Sequence, residues 1–295
     1  MKLLVIGHSV EDHIDQGGMV QTKPGGIYYS ASALQNFKNP EDEIFLCTSV
    51  SRNNYGLFKN VYENLNTKYL QFIDSIPFVY LKIQDKGERE ECYGSLTGSL
   101  ALNLEDVGSF DGIYLNMVTG YDISLGQLNQ IREKYKGLIY MDVHTFSRGV
   151  DENMKRQFRV IPEFNLWAKS VDIIQVNTLE LMTLSPKGNA EEIIYEVLSR
   201  GPQFLILTKG ESGAEIFILK ENKISSISRP AINIELKNKV GCGDVFGSIF
   251  FYSYLANRNI IKSLESANIA GGCAASYKSL EEFKKLKEDV VARLD

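Results

Sequence analysis

The sequence predicts an α/β protein built on a doubly wound, mainly parallel sheet, and three observations carry that expectation. From Gly112 onward, short apolar runs at 113–115, 138–142, 172–176 and 204–208 are separated by helix-like segments, and a further run follows at 214–219. The chain opens on Leu3-Leu4-Val5-Ile6, an unbroken apolar run closed by Gly7, which reads as a buried first strand. One insertion interrupts the alternation: extended runs at 78–84 and 89–94 flank Asp85-Lys86-Gly87, a hairpin signal that suits either a lid or an edge extension of the sheet.

Taken in order, Asp12 stands just past the first strand, where open α/β sheets bind ligands; a solvated loop acid is the plain alternative. His8 and His13 flank it without a partner at ligand spacing and read as structural. Residues 14–24 are polar, carry Gly17, Gly18 and Pro24, and suit short strands or a flap. Pro24-Gly25-Gly26 then opens a helix-like stretch at 27–37, which puts a glycine pair where backbone N–H groups can meet a ligand. A strand at 43–47, a helix at 55–65 and an extended run at 69–73 follow.

After the strand at 172–176, Asn177-Thr178-Leu179-Glu180 places Asn177 and Glu180 one turn apart on one helix face, in reach of a metal's hydration shell. The same spacing is also that of a helix capping box. Thr208-Lys209-Gly210-Glu211-Ser212-Gly213 is a two-glycine turn after a strand, either a bed for a nucleotide or a tight turn and nothing more. It lacks the GxxxxGK[ST] pattern, and no GxGxxG follows the first strand, so a P-loop and a standard dinucleotide fold are both disfavoured. Helices at 260–277 and 280–294 close the chain.

Composition narrows the class. The 295 residues suffice for a substantial core, and 44% hydrophobic with 23% charged residues is ordinary for a globular protein. A net charge of −5 gives no reason to expect nucleic acid or an anionic membrane as partner. Cys47, Cys92, Cys242 and Cys273 show no CxxC spacing, which argues against a zinc site or a disulfide framework and fits reduced thiols in a cytoplasmic protein. The apolar start is too short for a signal peptide, and no run approaches transmembrane length.

The stretch richest in chemistry is Lys239-Val240-Gly241-Cys242-Gly243-Asp244-Val245-Phe246. Two glycines and a carboxylate precede an apolar run to Ala256 that reads as a buried helix. The first turn of such a helix has unpaired N–H groups and the positive end of the dipole, and glycine lets a ligand approach it closely. A carboxylate beside an anion cradle repels the anion, so it needs a reason: either it is a general base next to a phosphoryl group, or Asp244 merely caps the helix.

These motifs, in this order and across nearly the whole chain, resemble the PfkB (ribokinase-like) family of carbohydrate and nucleoside kinases. Gly25-Gly26 matches the family's N-terminal glycine pair, Asn177-x-x-Glu180 its NxxE motif, Thr208-x-Gly210-x-x-Gly213 its nucleotide turn, and Gly241-Cys242-Gly243-Asp244 its GAGD signature with Cys for Ala. The resemblance implies a ribokinase-like fold as a single domain over 1–295, with a β-sheet lid formed near 14–24 and 78–95. It implies transfer of a phosphoryl group from ATP to a hydroxyl of a sugar, sugar acid, cyclitol or nucleoside. Asp244 would be the base, and the N–H groups of Cys242, Gly243 and Asp244, opening from Gly241, would stabilise the transferring group. Asn177 and Glu180 would hold Mg²⁺ through water. Asp12, Gly25 and Gly26 would bind the acceptor. Thr208, Gly210, Gly213 and Asn268 would bind the nucleotide. In many members the lid also forms a homodimer.

Departures are specific. Asn238-Lys239-Val240 replaces the family's DTT, whose aspartate helps bind a monovalent cation, so K⁺ activation is expected to be weak or absent, with Lys239 supplying the charge. Ser30 stands where many sugar kinases place a sugar-binding Asn, preceded by Tyr28-Tyr29, which suit either a ring-shaped acceptor or the core. A catalytically silent binding protein on the same fold is the alternative function; retention of Asp244, both flanking glycines and the NxxE pair argues against it.

Overall fold

The computed structural model describes residues 1–16, 18–82, 90–103, 105–238 and 240–294. The hairpin tip at Asp85-Lys86-Gly87, Gly17 and Lys239 therefore lie outside the described residues. Two sheets organise the chain. The larger takes β1 (Lys2–Ile6), β4 (Glu43–Val50), β5 (Asn66–Phe72), β8 (Gly112–Asn116), β9 (Leu138–Asp142), β12 (Ile173–Asn177), β13 (Phe204–Thr208), β14 (Ala214–Lys220) and β15 (Lys223–Arg229) in the order β15-β14-β13-β12-β9-β8-β1-β4-β5. From β5 to β13 every pairing is parallel; β14 and β15 complete one edge as an antiparallel pair.

Helices cover both faces because the central strands are apolar on both. Leu4 and Ile6 of β1, with Ile113, Leu115, Ile139, Met141, Ile174 and Val176, pack with α3 (Leu125–Lys134), α4 (Phe164–Ala168) and α6 (Ala190–Leu198). Leu3 and Val5, on the opposite side, join Tyr114, Tyr140 and Ile173 under α1 (Tyr28–Phe37), α2 (Tyr55–Tyr62), α7 (Cys242–Asn257) and α8 (Ile260–Ser276). Alternate residues of one strand thus feed two cores, the arrangement expected of a doubly wound parallel sheet. α5 (Thr178–Leu181) is a single turn after β12, and α9 (Leu286–Leu294) ends the chain after a 3-10 turn over Leu280–Lys285. Among the described residues no helix is long and apolar enough to cross a membrane.

The smaller sheet, β3-β2-β6-β7, is made of β2 (Ser9–Gln16), β3 (Met19–Gly26), β6 (Phe78–Lys82) and β7 (Glu90–Ser95). It begins earlier than the expected 14–24 segment, and it bears on two expectations. Asp12, expected just past β1 with a solvated loop acid as the plain alternative, sits inside β2, paired with Lys23 and Val79 and buried, so the solvated alternative falls. Gly25 and Gly26 do not open α1: they end β3, and the helix starts at Tyr28 after an Ile27 N-cap. The reason is tertiary. A Cβ at Gly25 would run into the Asp12 carboxylate, and one at Gly26, whose φ is +65°, into the His8 carbonyl. Both glycines allow close packing at the root of the smaller sheet.

A third difference lies between β9 and β12. A helix was expected there, but the chain makes a 3-10 turn at His144–Ser147 and a hairpin, β10 (Arg148–Val150) with β11 (Arg156–Phe158), before the short α4. Asp151 nucleates the hairpin turn by accepting from Asn153 N and Lys155 N, each at 2.9 Å. The hairpin docks on the smaller sheet: Tyr93 N donates to Met154 O at 2.9 Å, and Arg156 lies over the Tyr93 ring at 3.9 Å. Glu91 of β7 meets Arg156 at 2.7 Å and Arg148 at 3.4 Å. β15 was also not foreseen, its Ser- and Lys-rich run lacking apolar alternation strong enough to mark it.

Candidate active site

A cleft of about 160 Å³ opens at the carboxyl ends of β9, β12 and β13, beside the first turn of α7. It gathers Asn177, Glu180, Thr208, Gly241, Gly243 and Asp244, all expected from the sequence, with Asp142, Gln175, His144, Thr145, Arg148 and Glu91, none of them foreseen as site residues.

α7 opens at Gly241, an N-cap with φ +81°, and an added Cβ there would strike the Tyr29 ring. The first backbone donor of the helix to find an intrahelical acceptor is Val245, bonding Gly241 O at 2.9 Å. The N–H groups of Cys242, Gly243 and Asp244 precede it in the part of the helix that leaves donors for a ligand. At Gly243 a Cβ would meet only Gln175 Nε2, at 3.8 Å, so the turn is open on the cleft side. Asp244 is the third residue of the helix, not its cap, and its side chain is held from elsewhere. Asn116 Nδ2, at the end of β8, donates to Asp244 Oδ1 at 2.6 Å, and Ser30 Oγ donates to Asp244 O at 3.3 Å.

Asn177 and Glu180 form a complete capping box. Asn177 Oδ1 accepts from Leu179 N and Glu180 N, each at 2.9 Å, and Glu180 Oε2 accepts from Asn177 N at 2.9 Å. The capping reading is correct, and the box also places both side chains on the cleft wall.

Asp142 is the principal acid missed by sequence reading. Burial first, and then the negative charges of Asp244 and Glu180, push its carboxyl well above the ordinary carboxylate range. Gln175 Nε2 donates to Asp142 Oδ2 at 3.0 Å and to Gly243 O at 3.1 Å, while Tyr140 OH donates to Gln175 Oε1 at 2.6 Å. The signal for all three was present: Asn116, Asp142 and Gln175 are polar residues within or ending apolar strands, where a buried polar group needs a specific partner.

The remaining expected residues lie outside the cleft wall. Ser30 is buried in α1 and joins Asn116, whose Nδ2 donates to its Oγ at 3.3 Å. Tyr28 and Tyr29 are core residues, Tyr28 packing on Phe58 and Tyr62 and Tyr29 backing Gly241. Gly210 opens a 3-10 turn and Gly213 caps it, with φ of +56° and +90°. Asn268 Nδ2 donates to Arg229 O at 3.1 Å and Pro230 O at 3.2 Å, and Gly213 abuts the same Arg229 carbonyl, so both hold the segment leaving β15.

Residues 144–285 match the family model described as pfkB family carbohydrate kinase. Solved structures resemble the chain along its length. Arabidopsis thaliana ribokinase complexed with ribose and ATP is 15% identical, with a TM-score of 0.75 and 98% of each chain covered. Thermotoga maritima ribokinase is 13% identical, with a TM-score of 0.77 over 99% of this chain and 98% of that one. A pyrophosphate-dependent kinase in the ribokinase family, complexed with a pyrophosphate analogue and myo-inositol, is 16% identical, with a TM-score of 0.74 over 96% and 99%.

Proposed function

We propose that this chain, whose residues 144–285 match the pfkB family carbohydrate kinase model and whose whole length takes the ribokinase fold, is a kinase that moves the γ-phosphoryl group of ATP to a hydroxyl of a small polyol, a sugar or cyclitol foremost. The observation that carries the reading is the convergence, in one cleft, of an anion cradle, a held carboxylate and a second set of acids. The donor groups fit a hard divalent cation with a polyphosphate. Asn177, Glu180 and Asp142 line the cleft with oxygens, and among the described residues no three His, Cys, Asp or Glu side chains cluster for direct ligation, so a cation there would be held through its waters. ATP with Mg²⁺ supplies the phosphoryl group and part of the charge that offsets its negative oxygens.

The chain's own residues supply the rest. Asp244 takes the proton of the acceptor hydroxyl as its oxygen bonds to the γ-phosphorus and the bond to the ADP oxygen breaks. The first-turn N–H groups of α7 stabilise the charge on the transferring group. Asn177 and Glu180 would hold such a cation through its waters, and the cation would offset charge on the phosphate oxygens. Asp12 and the Gly25 backbone, matched at the lid's root, grip acceptor hydroxyls, and the lid excludes water. Thr208, Gly210 and Gly213 border the nucleotide, and Asn268 braces that border. Asn238, where relatives carry the cation-binding acid, accepts from Val240 N at 3.0 Å and donates to Val240 O at 3.3 Å, an amide turned onto its own loop.

Release of ADP from Mg-ATP, and in parallel formation of the phosphorylated acceptor from pyrophosphate, is to be measured over sugars, sugar acids, inositols and nucleosides, with Asp244→Asn beside it. One acceptor should raise turnover far above background, and the variant should lose about 10²–10⁴-fold. Equal turnover by the variant would rule out the assigned base. ATP binding without turnover on any acceptor would favour the silent binding protein.

A further inference from the structure

We propose that Asn116 and Gln175 form a buried two-amide clamp on the catalytic turn: Asn116 aims the Asp244 carboxylate, and Gln175 holds the backbone of the anion cradle. The clamp deepens the kinase reading and rests on it for its catalytic consequence.

The two amides come from strands on either side of β9 and reach the same three-residue turn. Asn116 is fully buried and Gln175 only 3% exposed, so water does not compete for their bonds. The 2.6 Å bond from Asn116 Nδ2 occupies Asp244 Oδ1 and leaves Oδ2 as the oxygen to receive a proton. Asn116 Oδ1 has no hydrogen-bond partner among the described residues. Burying an unpaired carbonyl oxygen is costly, and an apolar residue would fill that place without the cost. The amide is explained by what its nitrogen does to Asp244.

Gln175 uses both ends of its amide: Tyr140 OH fixes the oxygen, which points the nitrogen at Asp142 and at Gly243 O. α7 rides directly on this side chain, since a Cβ at Gly247 would come within 2.5 Å of Gln175 Oε1 and 2.7 Å of Tyr114 OH. The glycine after the catalytic aspartate therefore serves the clamp. Both amides are positioning residues, acting through Asp244 and Gly243; misplacement of a reacting group by about 1 Å can cost 10²-fold in rate.

The test uses Asn116→Leu and Gln175→Met, each close in volume to the residue replaced, and each checked for a cooperative melt. Each should lower kcat about 10- to 100-fold while KM for acceptor and for Mg-ATP stays within about threefold. A kcat within threefold of the unsubstituted protein, or a loss confined to KM, would overturn the clamp. A second measurement does not depend on turnover. Asn116→Leu should lower the melting temperature in the natural background but not in an Asp244→Leu background, whereas additive shifts would overturn the Asn116 arm. If no acceptor supports turnover in the unsubstituted protein, the kinase reading fails, and the melting comparison alone decides whether Asn116 holds Asp244.

Discussion

The two walls of the cleft are built by opposite means. On the β12 side, Asn177 and Glu180 hold each other across three residues, and every bond of the box lies within one turn of chain. On the α7 side, Asp244 is set by Asn116, 128 positions away, its turn by Gln175, 68 away, and its carbonyl by Ser30, 214 away. The first wall forms wherever the local sequence folds. The second exists only when β8, β12, α1 and α7 have all packed. Changes in the Asn177–Glu180 box should therefore stay confined to that one turn, and the α7 turn should respond as a unit with the strands and helix that hold it.

Substitutions at the glycines test the α7 wall most severely. Gly241→Ala meets both a left-handed φ and the Tyr29 ring, and should cost about 1–3 kcal/mol in denaturant unfolding. Gly243→Ala has room and should leave stability within about 1 kcal/mol, while its methyl group projects towards the cleft and lowers turnover. Equal destabilisation by the two would break the distinction.

Asp142→Asn should separate stability from activity. Its carboxyl is pushed up in the folded state, so the fold holds a proton that the unfolded chain releases above the ordinary range near 4. The natural protein therefore loses stability as pH rises through that window, and the variant should not. Melting temperatures compared at pH 4 and pH 7 should show the variant gaining on the natural protein at the higher pH, with turnover reduced. A gain independent of pH would count against a buried acid as the cause.

On the local wall, Asn177→Ala removes the cap and should cost about 1 kcal/mol. Glu180→Gln keeps an oxygen for Asn177 N and should move stability by less than about 0.5 kcal/mol, yet raise the Mg²⁺ concentration needed for half-maximal rate. An unchanged Mg²⁺ requirement would remove Glu180 from the cation site. The smallest effect expected is that of K⁺ in place of a large organic cation, close to none, because Asn238 turns its amide to Val240; a many-fold stimulation would contradict that.

The parts of this protein legible in its sequence are those whose cause is local. Apolar runs of strand length, separated by helix-length segments, gave the parallel sheet, and the three-residue spacing of Asn177 and Glu180 gave their shared face. The Gly241–Asp244 turn could be placed at a helix start because a positive φ and a first-turn carboxylate are properties of a few adjacent residues. What tertiary structure alone decided has long-range causes. Asp12 became a strand residue because β2 pairs with β6, and Gly25-Gly26 became a tight root because Asp12 and His8 press on them. Tyr28 and Tyr29 went to the core because α1 faces α2 and α7. Asn116, Asp142 and Gln175 joined the site because strands far apart in sequence end side by side. A polar residue ending an apolar strand announces that it needs a partner, and only the packed fold supplies which one.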